Sequence, residues 1–270
     1  MSDPILSFQK ATLRLGKRTL WKDLDLDINP GEFVAILGPN GTGKTSLLKV
    51  LLGLNELADG SVTISGEPPR RGNSRIGYIP QQKSFDKDLP IRARDLVHFG
   101  LDGHKFGLER HKKSDLHRVN EVIKEVGASK YADSPIGLLS GGEQQRLRIA
   151  QALLGKPSIL LCDEPLLSLD LASQQAVCEL IDTYRKRDDT AVLFVTHDIN
   201  PVLQIVDKVL YLVGGKWVVG TPDEVLTTEC LSELYGVPVD VVRVRGRVIV
   251  VTGDENEVHH GSHHSMEAKR

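Results

Sequence analysis

Short apolar runs alternate with glycine-rich and charged turns along this chain, and each run predicts a strand. Phe33-Val34-Ala35-Ile36-Leu37 is apolar throughout, the pattern of a strand buried on both faces. Ser158-Ile159-Leu160-Leu161-Cys162 and Ala191-Val192-Leu193-Phe194-Val195 repeat it. Residues 5–15 and 23–28 instead alternate apolar and polar positions, as half-exposed antiparallel strands do, and Asn29-Pro30-Gly31 turns the second into the buried run. Two β-branched stretches, Ser61-Val62-Thr63-Ile64 and Arg75-Ile76-Gly77-Tyr78-Ile79, predict further short strands. Helical spacing appears over residues 46–52, closed by Gly53, and over 114–126, capped by Ser114 and closed by Gly127. It returns over 143–154, where Leu147, Ala150, Leu153 and Leu154 form one stripe. The alternation predicts an α/β fold. From about residue 82 to 141 the texture turns charged and helical, an insertion. Residues 239–251 are β-rich again, with Arg245-Gly246-Arg247 as their turn.

Composition narrows the classes. A chain of 270 residues, 40% of them hydrophobic, can bury a sizeable core in one large domain with an appendage. Its formal net charge of -2 offers no basic excess for nucleic acid, so none is expected as a partner. The longest apolar runs, such as 191–195 and 209–213, fall far short of the roughly 18 residues of a membrane-spanning helix. Membrane association would therefore run through a partner. Met1-Ser2-Asp3-Pro4 carries no basic segment leading into an apolar one, so no signal peptide is expected. Cys162, Cys178 and Cys230, odd in number and scattered, read as reduced, buried thiols. Arg110-His111-Lys112-Lys113 reads as a solvated face.

The candidate chemistry gathers at the ends of the buried runs. Gly38-Pro39-Asn40-Gly41-Thr42-Gly43-Lys44-Thr45 lies between strand and helix, the context of a phosphate-binding loop. Its glycines let backbone N–H groups turn toward phosphate oxygens, and the helix that follows adds a positive N-terminus. Lys44 would reach the β- and γ-phosphates, and Thr45 would offer its hydroxyl to Mg²⁺. Asp163 and Glu164 emerge where the 158–162 strand ends, and Thr196-His197-Asp198 where the 191–195 strand ends, the edge at which open α/β sheets bind ligands. Asp163 would complete the metal's oxygen ligands, directly or through water. Glu164 would accept the proton of the attacking water. Gln81 would orient that water or touch the metal, and His197 would donate to the γ-phosphate and hold Glu164 in place.

Leu139-Ser140-Gly141-Gly142-Glu143-Gln144-Gln145-Arg146 resembles the signature motif of the ATP-binding cassette (ABC) family, the motor subunits of ABC transporters. The other motifs stand in that family's order: the phosphate loop, Gln81 in a glutamine loop, the signature, Asp163-Glu164, an aspartate loop at Ser168-Leu169-Asp170, and the switch His197. The resemblance covers about residues 5–236, leaving 237–270 as an appendage and polar tail. It implies a P-loop NTPase core with an antiparallel β subdomain and a helical, signature-bearing insertion. It further implies that ATP is held by residues 38–46, Ser46 included, and by Ser140, Gly141, Gly142, Glu143 and Asp170, with Mg²⁺ at Thr45, Gln81 and Asp163. Two copies would pack head to tail, the phosphate loop of one and the signature of the other closing over a shared ATP. The helix opening behind Ser140, Gly141 and Gly142 would supply a second anion site for the γ-phosphate.

One position departs from the family. Where its members carry an aromatic residue that stacks on adenine, this chain has Leu15, which puts base selectivity and affinity in question. Arg75 to Gln81, Leu89-Pro90-Ile91 and the ending Leu234-Tyr235-Gly236-Val237-Pro238-Val239 resemble ATPases of bacterial manganese, zinc or iron importers. Siderophore and cobalamin importers share much of this pattern, and a soluble ABC ATPase in cofactor assembly or a DNA clamp is the competing class. An importer implies transmembrane permease subunits, an extracytoplasmic solute-binding protein behind them, and a place on the cytoplasmic face of the membrane. Residues 85–97 would then line the groove that receives the permease. The tail's His259-His260-Gly261-Ser262-His263-His264 reads as a solvated terminus, with metal sensing as its rival.

Overall fold

A computed structural model describes residues 3–81, 85–102 and 113–252. The first residues of the expected insertion at 82–84, the basic Arg110-His111-Lys112, and the histidine tract of the tail lie outside the described residues. Eleven described strands run in chain order: β1 (Leu6–Leu15), β2 (Arg18–Ile28), β3 (Phe33–Leu37), β4 (Asp59–Ile64), β5 (Ile76–Ile79), β6 (Ile159–Asp163), β7 (Ala191–Val195), β8 (Lys208–Val213), β9 (Lys216–Gly220), β10 (Val239–Val244) and β11 (Arg247–Thr252). The helices are α1 (Lys44–Leu51), α2 (Ala93–Asp102), α3 (Lys113–Glu125), α4 (Gly141–Leu153), α5 (Leu171–Asp188), α6 (Pro222–Val225) and α7 (Thr228–Tyr235).

The central sheet has the order β5-β6-β7-β3-β8-β9, parallel except for β9, which returns antiparallel to β8. Because alternate side chains point to opposite faces, its fully apolar strands feed two cores at once. Phe33, Ala35, Leu160, Val192 and Phe194 join a core with Val177, Ile181 and Tyr184 of α5. Val34, Ile36, Leu161 and Leu193 face the other way, onto α1 and the antiparallel sheet β2-β1-β4. Each such buried side chain contributes about 1.5–3 kcal/mol, so these strands anchor the loops that leave their ends.

The insertion forms a third core from Val97, Val119, Ile123, Leu147 and Leu154. Here α4 is the bridge. Its Leu147 and Ala150, with Leu154 at its C-cap, belong to the insertion, whereas Ile149 and Leu153 pack into the α5 side of the sheet, so the predicted stripe divides between two cores. Ala93, Leu96 and Val97 point into the insertion core, and Phe85, Leu89 and Ile91 pack against it, so the apolar side chains of residues 85–97 are directed inward.

Two helix starts differ from expectation. Lys113 is already helical, which places Ser114 inside the first turn of α3 rather than at its cap; Asp115 supplies the negative charge that the helix dipole favours there. At the other end Gly127, with φ 72, turns the chain so that Ala128 N–H donates to Ile123 O at 2.8 Å, the closure expected of it. The second start is α4, which opens at Gly141 because Ser140 and Glu143 form a capping box.

The β10–β11 hairpin turns at Arg245 and Gly246, both with positive φ as a two-residue turn of primed type requires. Val239 and Val248 on one face join the α5-side core, while Val242, Val244, Ile249 and Val251 stay exposed on the other.

Candidate nucleotide site

The sheet order places the ends of β5, β6, β7 and β3 side by side, and from them emerge Gln81, Asp163-Glu164, Thr196-His197 and the Gly38 loop. The loop's backbone admits only glycine where it bends most sharply. Gly38 has φ 135, and a Cβ there would stand 2.1 Å from the Leu212 carbonyl oxygen. Gly43, φ 100, would press one against Leu20 and the Trp21 indole nitrogen, both at about 3 Å. Gly43 is also the N-cap of α1 and makes no side-chain cap, so the helix's first N–H groups remain directed at the loop.

Lys44 folds back inside the loop, donating to the carbonyls of Gly38 at 2.6 Å and Pro39 at 3.0 Å. Burial pulls its pKa below the ordinary lysine value, and the carboxylates of Glu164 and Asp163 act against that. The Thr45 hydroxyl donates to Asp163 Oδ1 at 3.0 Å, and Tyr78 OH approaches Asp163 Oδ2 at 3.4 Å. Burial raises the Asp163 pKa, the Thr45 hydrogen bond lowers it, and Glu164 raises it again. Burial and the Asp163 carboxylate push the Tyr78 phenol up to about 12. Glu164 sits at φ 49, left-handed for a residue with a side chain, while its N–H continues the ladder to Val195 O at 3.0 Å. Its Oε2 lies 3.2 Å from His197 Nδ1.

A cavity of about 430 Å³ lies above the loop, with Leu15, Arg18, Asn40, Lys44, Gln81 and Glu164 among its walls. Gly41, Gly43, Thr45 and Ser46 line it as well. The structure thus brings the loop, Gln81 and Glu164 to one cavity, with Asp163 beneath Thr45 and His197 against Glu164.

Ser140, Gly141, Gly142, Glu143 and Asp170 line no part of that cavity. They meet elsewhere. Ser140 N–H and hydroxyl both donate to Glu143 Oε2 at 2.8 Å, and a Cβ on Gly142 would stand 2.8 Å from Ser173 Oγ. Ser173 in turn donates from its N–H and its hydroxyl to Asp170, the N-cap of α5, at 2.8 and 2.9 Å. The starts of α4 and α5 therefore form a second, separate corner.

The motifs do not point to Arg18 or Tyr78. The register of the first hairpin holds the available signal for Arg18, because Leu15 and Arg18 are partners across its turn. Tyr78 is displayed only by the pairing of β5 with β6.

The family described as ABC transporter matches residues 21–167, from β2 through the carboxylates that end β6. This chain belongs to that family. It is an ATP-binding and ATP-hydrolysing chain of the ABC type. Among its relatives, the zinc import ATP-binding protein ZnuC of Halorhodospira halophila is 37% identical over 87% of this chain and 84% of its own length. The manganese transport system ATP-binding protein MntB of Bacillus subtilis is 35% identical over 86% and 92%. The zinc transport system ATP-binding protein TroB of Treponema pallidum is 35% identical over 92% and 91%. Among solved structures, a metal-chelate type ABC transporter in an inward-facing conformation superposes with a TM-score of 0.77 at 27% identity, over 92% of this chain and 96% of that one. No helix among the described residues is long and apolar enough to cross a membrane.

Proposed function

We propose that this chain is the ATP-hydrolysing motor subunit of an importer for a transition-metal ion, zinc or manganese. The hydrolytic part rests above all on one observation, the Glu164–His197 pair beside the phosphate loop. The cargo rests on the relatives named for zinc and manganese.

In this reading the N–H groups of residues 38–46 and the start of α1 bind the phosphates, and Lys44 leaves its carbonyl partners for the β- and γ-phosphates. Glu164 takes the proton of the attacking water, Gln81 orients that water, and His197 holds Glu164 and donates to the γ-phosphate. The donor set suits Mg²⁺: a hydroxyl and a carboxylate converge at Thr45 and Asp163, and the carboxylate's burial disfavours its charge unless a cation offsets it. Gln81 would be its third protein ligand. Mg²⁺, when bound, neutralises phosphate charge as the bond to the γ-phosphate breaks.

The separate corner of Ser140, Gly141, Gly142, Glu143 and Asp170 supports a head-to-tail dimer, in which that corner of a second copy closes over the ATP. In that closed dimer the start of α4 would provide the anion site, with the Ser140 hydroxyl turning from Glu143 to the phosphate. Residues 5–236 form the cassette in this reading, with the insertion from about 82 to 141 as the face for the permease, and 237–270 the appendage. The assembly sits on the cytoplasmic face of the membrane, and an extracytoplasmic binding protein delivers the metal to the permease.

The test is total cellular zinc, manganese and iron, measured by elemental analysis in cells carrying the wild-type chain or Glu164→Gln. Selective loss of zinc or manganese is expected. Unchanged metal content would remove the metal-ion cargo and direct the search to metal chelates.

A further inference from the structure

We propose that Asn200 is a positioning residue for His197, and that through it the β10–β11 hairpin sets the rate of ATP hydrolysis. The inference rests on the hydrolytic reading of the site given above.

Asn200 lies in the loop that leaves β7, three residues beyond His197. Its carboxamide spends both ends on one residue of the hairpin. Val248 N–H donates to Asn200 Oδ1 at 2.8 Å, and Asn200 Nδ2 donates to Val248 O at 3.0 Å. An amide that pairs with a backbone in this way mimics a neighbouring strand, and it satisfies polar groups of a residue that is itself buried.

The same Nδ2 donates to Asp198 Oδ1 at 2.8 Å, and that oxygen also accepts from Asn200 N–H at 2.9 Å. Upstream, the Thr196 hydroxyl donates to Asp198 O at 2.8 Å and accepts from Asp198 N–H at 3.1 Å. Thr196, Asp198 and Asn200 are thus laced together, with His197 carried between them. On one side the lacing is fixed to the central sheet, where Thr196 N–H donates to Ile36 O at 3.2 Å. On the other it is fixed to β11.

The hairpin also packs apolar side chains here: Val239 and Val248 share a core with Ile199 and Val202 of the loop and with Val177 and Cys178 of α5. A cavity of about 540 Å³ lies alongside, walled by Leu171 and Gln174 of α5, by Asp198 and Asn200, and by Gly246 and Arg247 of the hairpin tip. Within that apolar contact, and beside the open space at the tip, the amide pair is a directional, hydrogen-bonded link between hairpin and loop. A shift of β11 along its own direction would move Asn200, and with it the imidazole that faces Glu164.

A purely structural role predicts lost thermal stability and nothing else, so the test is a double-mutant cycle on the full chain. ATP turnover, ATP affinity and thermal midpoint are measured for Asn200→Ala, His197→Ala and the pair together. Asn200→Ala is expected to lower kcat by about 5- to 10-fold while KM for ATP stays within about twofold. In the His197→Ala background it should lower turnover no further, because its effect passes through the imidazole. Asn200→Asp, which keeps the acceptor for Val248 N–H but loses the donors to Val248 O and Asp198 Oδ1 and sets two carboxylates together, should act in the same direction, and the thermal midpoint identifies a variant that does not fold. Wild-type kcat in both Asn200 variants, with His197→Ala strongly impaired, would overturn the inference and leave the hydrolytic reading standing, as would full additivity in the cycle. If His197→Ala and Glu164→Gln both turned over like wild type, the hydrolytic reading itself would have failed, and the inference with it.

Discussion

His197 Nδ1 stands 3.2 Å from Glu164 Oε2, across the gap between two adjacent strand ends. The pairing of Asp163 with Val195 sets this spacing, and the Glu164 N–H extends it to Val195 O. Glu164 holds a left-handed backbone at φ 49, a conformation that costs about 1–2 kcal/mol for a residue with a Cβ. A carboxylate turned out of its strand and met by an imidazole suits a proton acceptor better than a core partner. Glu164→Gln keeps the shape and removes the base. It should leave ATP binding intact, slow hydrolysis by about 100-fold or more, and accumulate an ATP-bound dimer visible by gel filtration. Turnover at the wild-type rate would remove Glu164 from the mechanism.

Leu15 reaches the cavity above the phosphate loop and is 47% exposed, so its side chain meets a ligand or solvent rather than the core. An aliphatic group offers the adenine ring contact but no π-face. Stacking on an aromatic side chain is worth about 1–3 kcal/mol. Leu15→Tyr should therefore tighten ATP binding by about 5-fold or more and raise the preference for ATP over a pyrimidine triphosphate, both read by equilibrium titration. Unchanged affinity would mean that the base does not sit over residue 15.

The strands that carry the site were legible because burial on both faces leaves no polar position to confuse them: β3 and β7 match their apolar runs residue for residue. The phosphate loop was legible for a related reason, since its glycines answer steric demands that no other residue meets. α5 was not. Val177, Cys178, Ile181 and Tyr184 face the core at helical spacing, but this stripe is short within 18 residues, preceded by polar Ser173, Gln174 and Gln175 and followed by the charged run Arg185 to Asp188. Tyr78 beneath Asp163 was hidden because strand pairing, not spacing, brings them together. The Ser140 corner shows the limit of motif reading. The motif marks a helix start at Ser140, yet nothing local says that the chain folds with this corner outside the cavity of its own phosphate loop.

Asp170 links that corner to stability. As N-cap of α5 it accepts from the N–H of Ser173 and then from its hydroxyl, and these bonds hold its pKa below the ordinary aspartate value of 3.8. A carboxyl whose folded pKa is depressed favours the folded state fully above the unfolded pKa, and that contribution fades as pH falls through the folded one. Asp170→Asn retains an oxygen that can cap the helix but not the charge that interacts with its N-terminus. Without nucleotide, the variant should melt below the wild type at neutral pH. The difference should stay constant down to the ordinary aspartate range and close below it, as the wild-type carboxyl takes up its proton. Asp170→Ala, which loses the cap at every pH, should keep a deficit throughout. Thermal melts across that range check all three curves, and a gap between wild type and Asp170→Asn that widened toward acid would show that the charge at residue 170 opposes folding rather than supporting it.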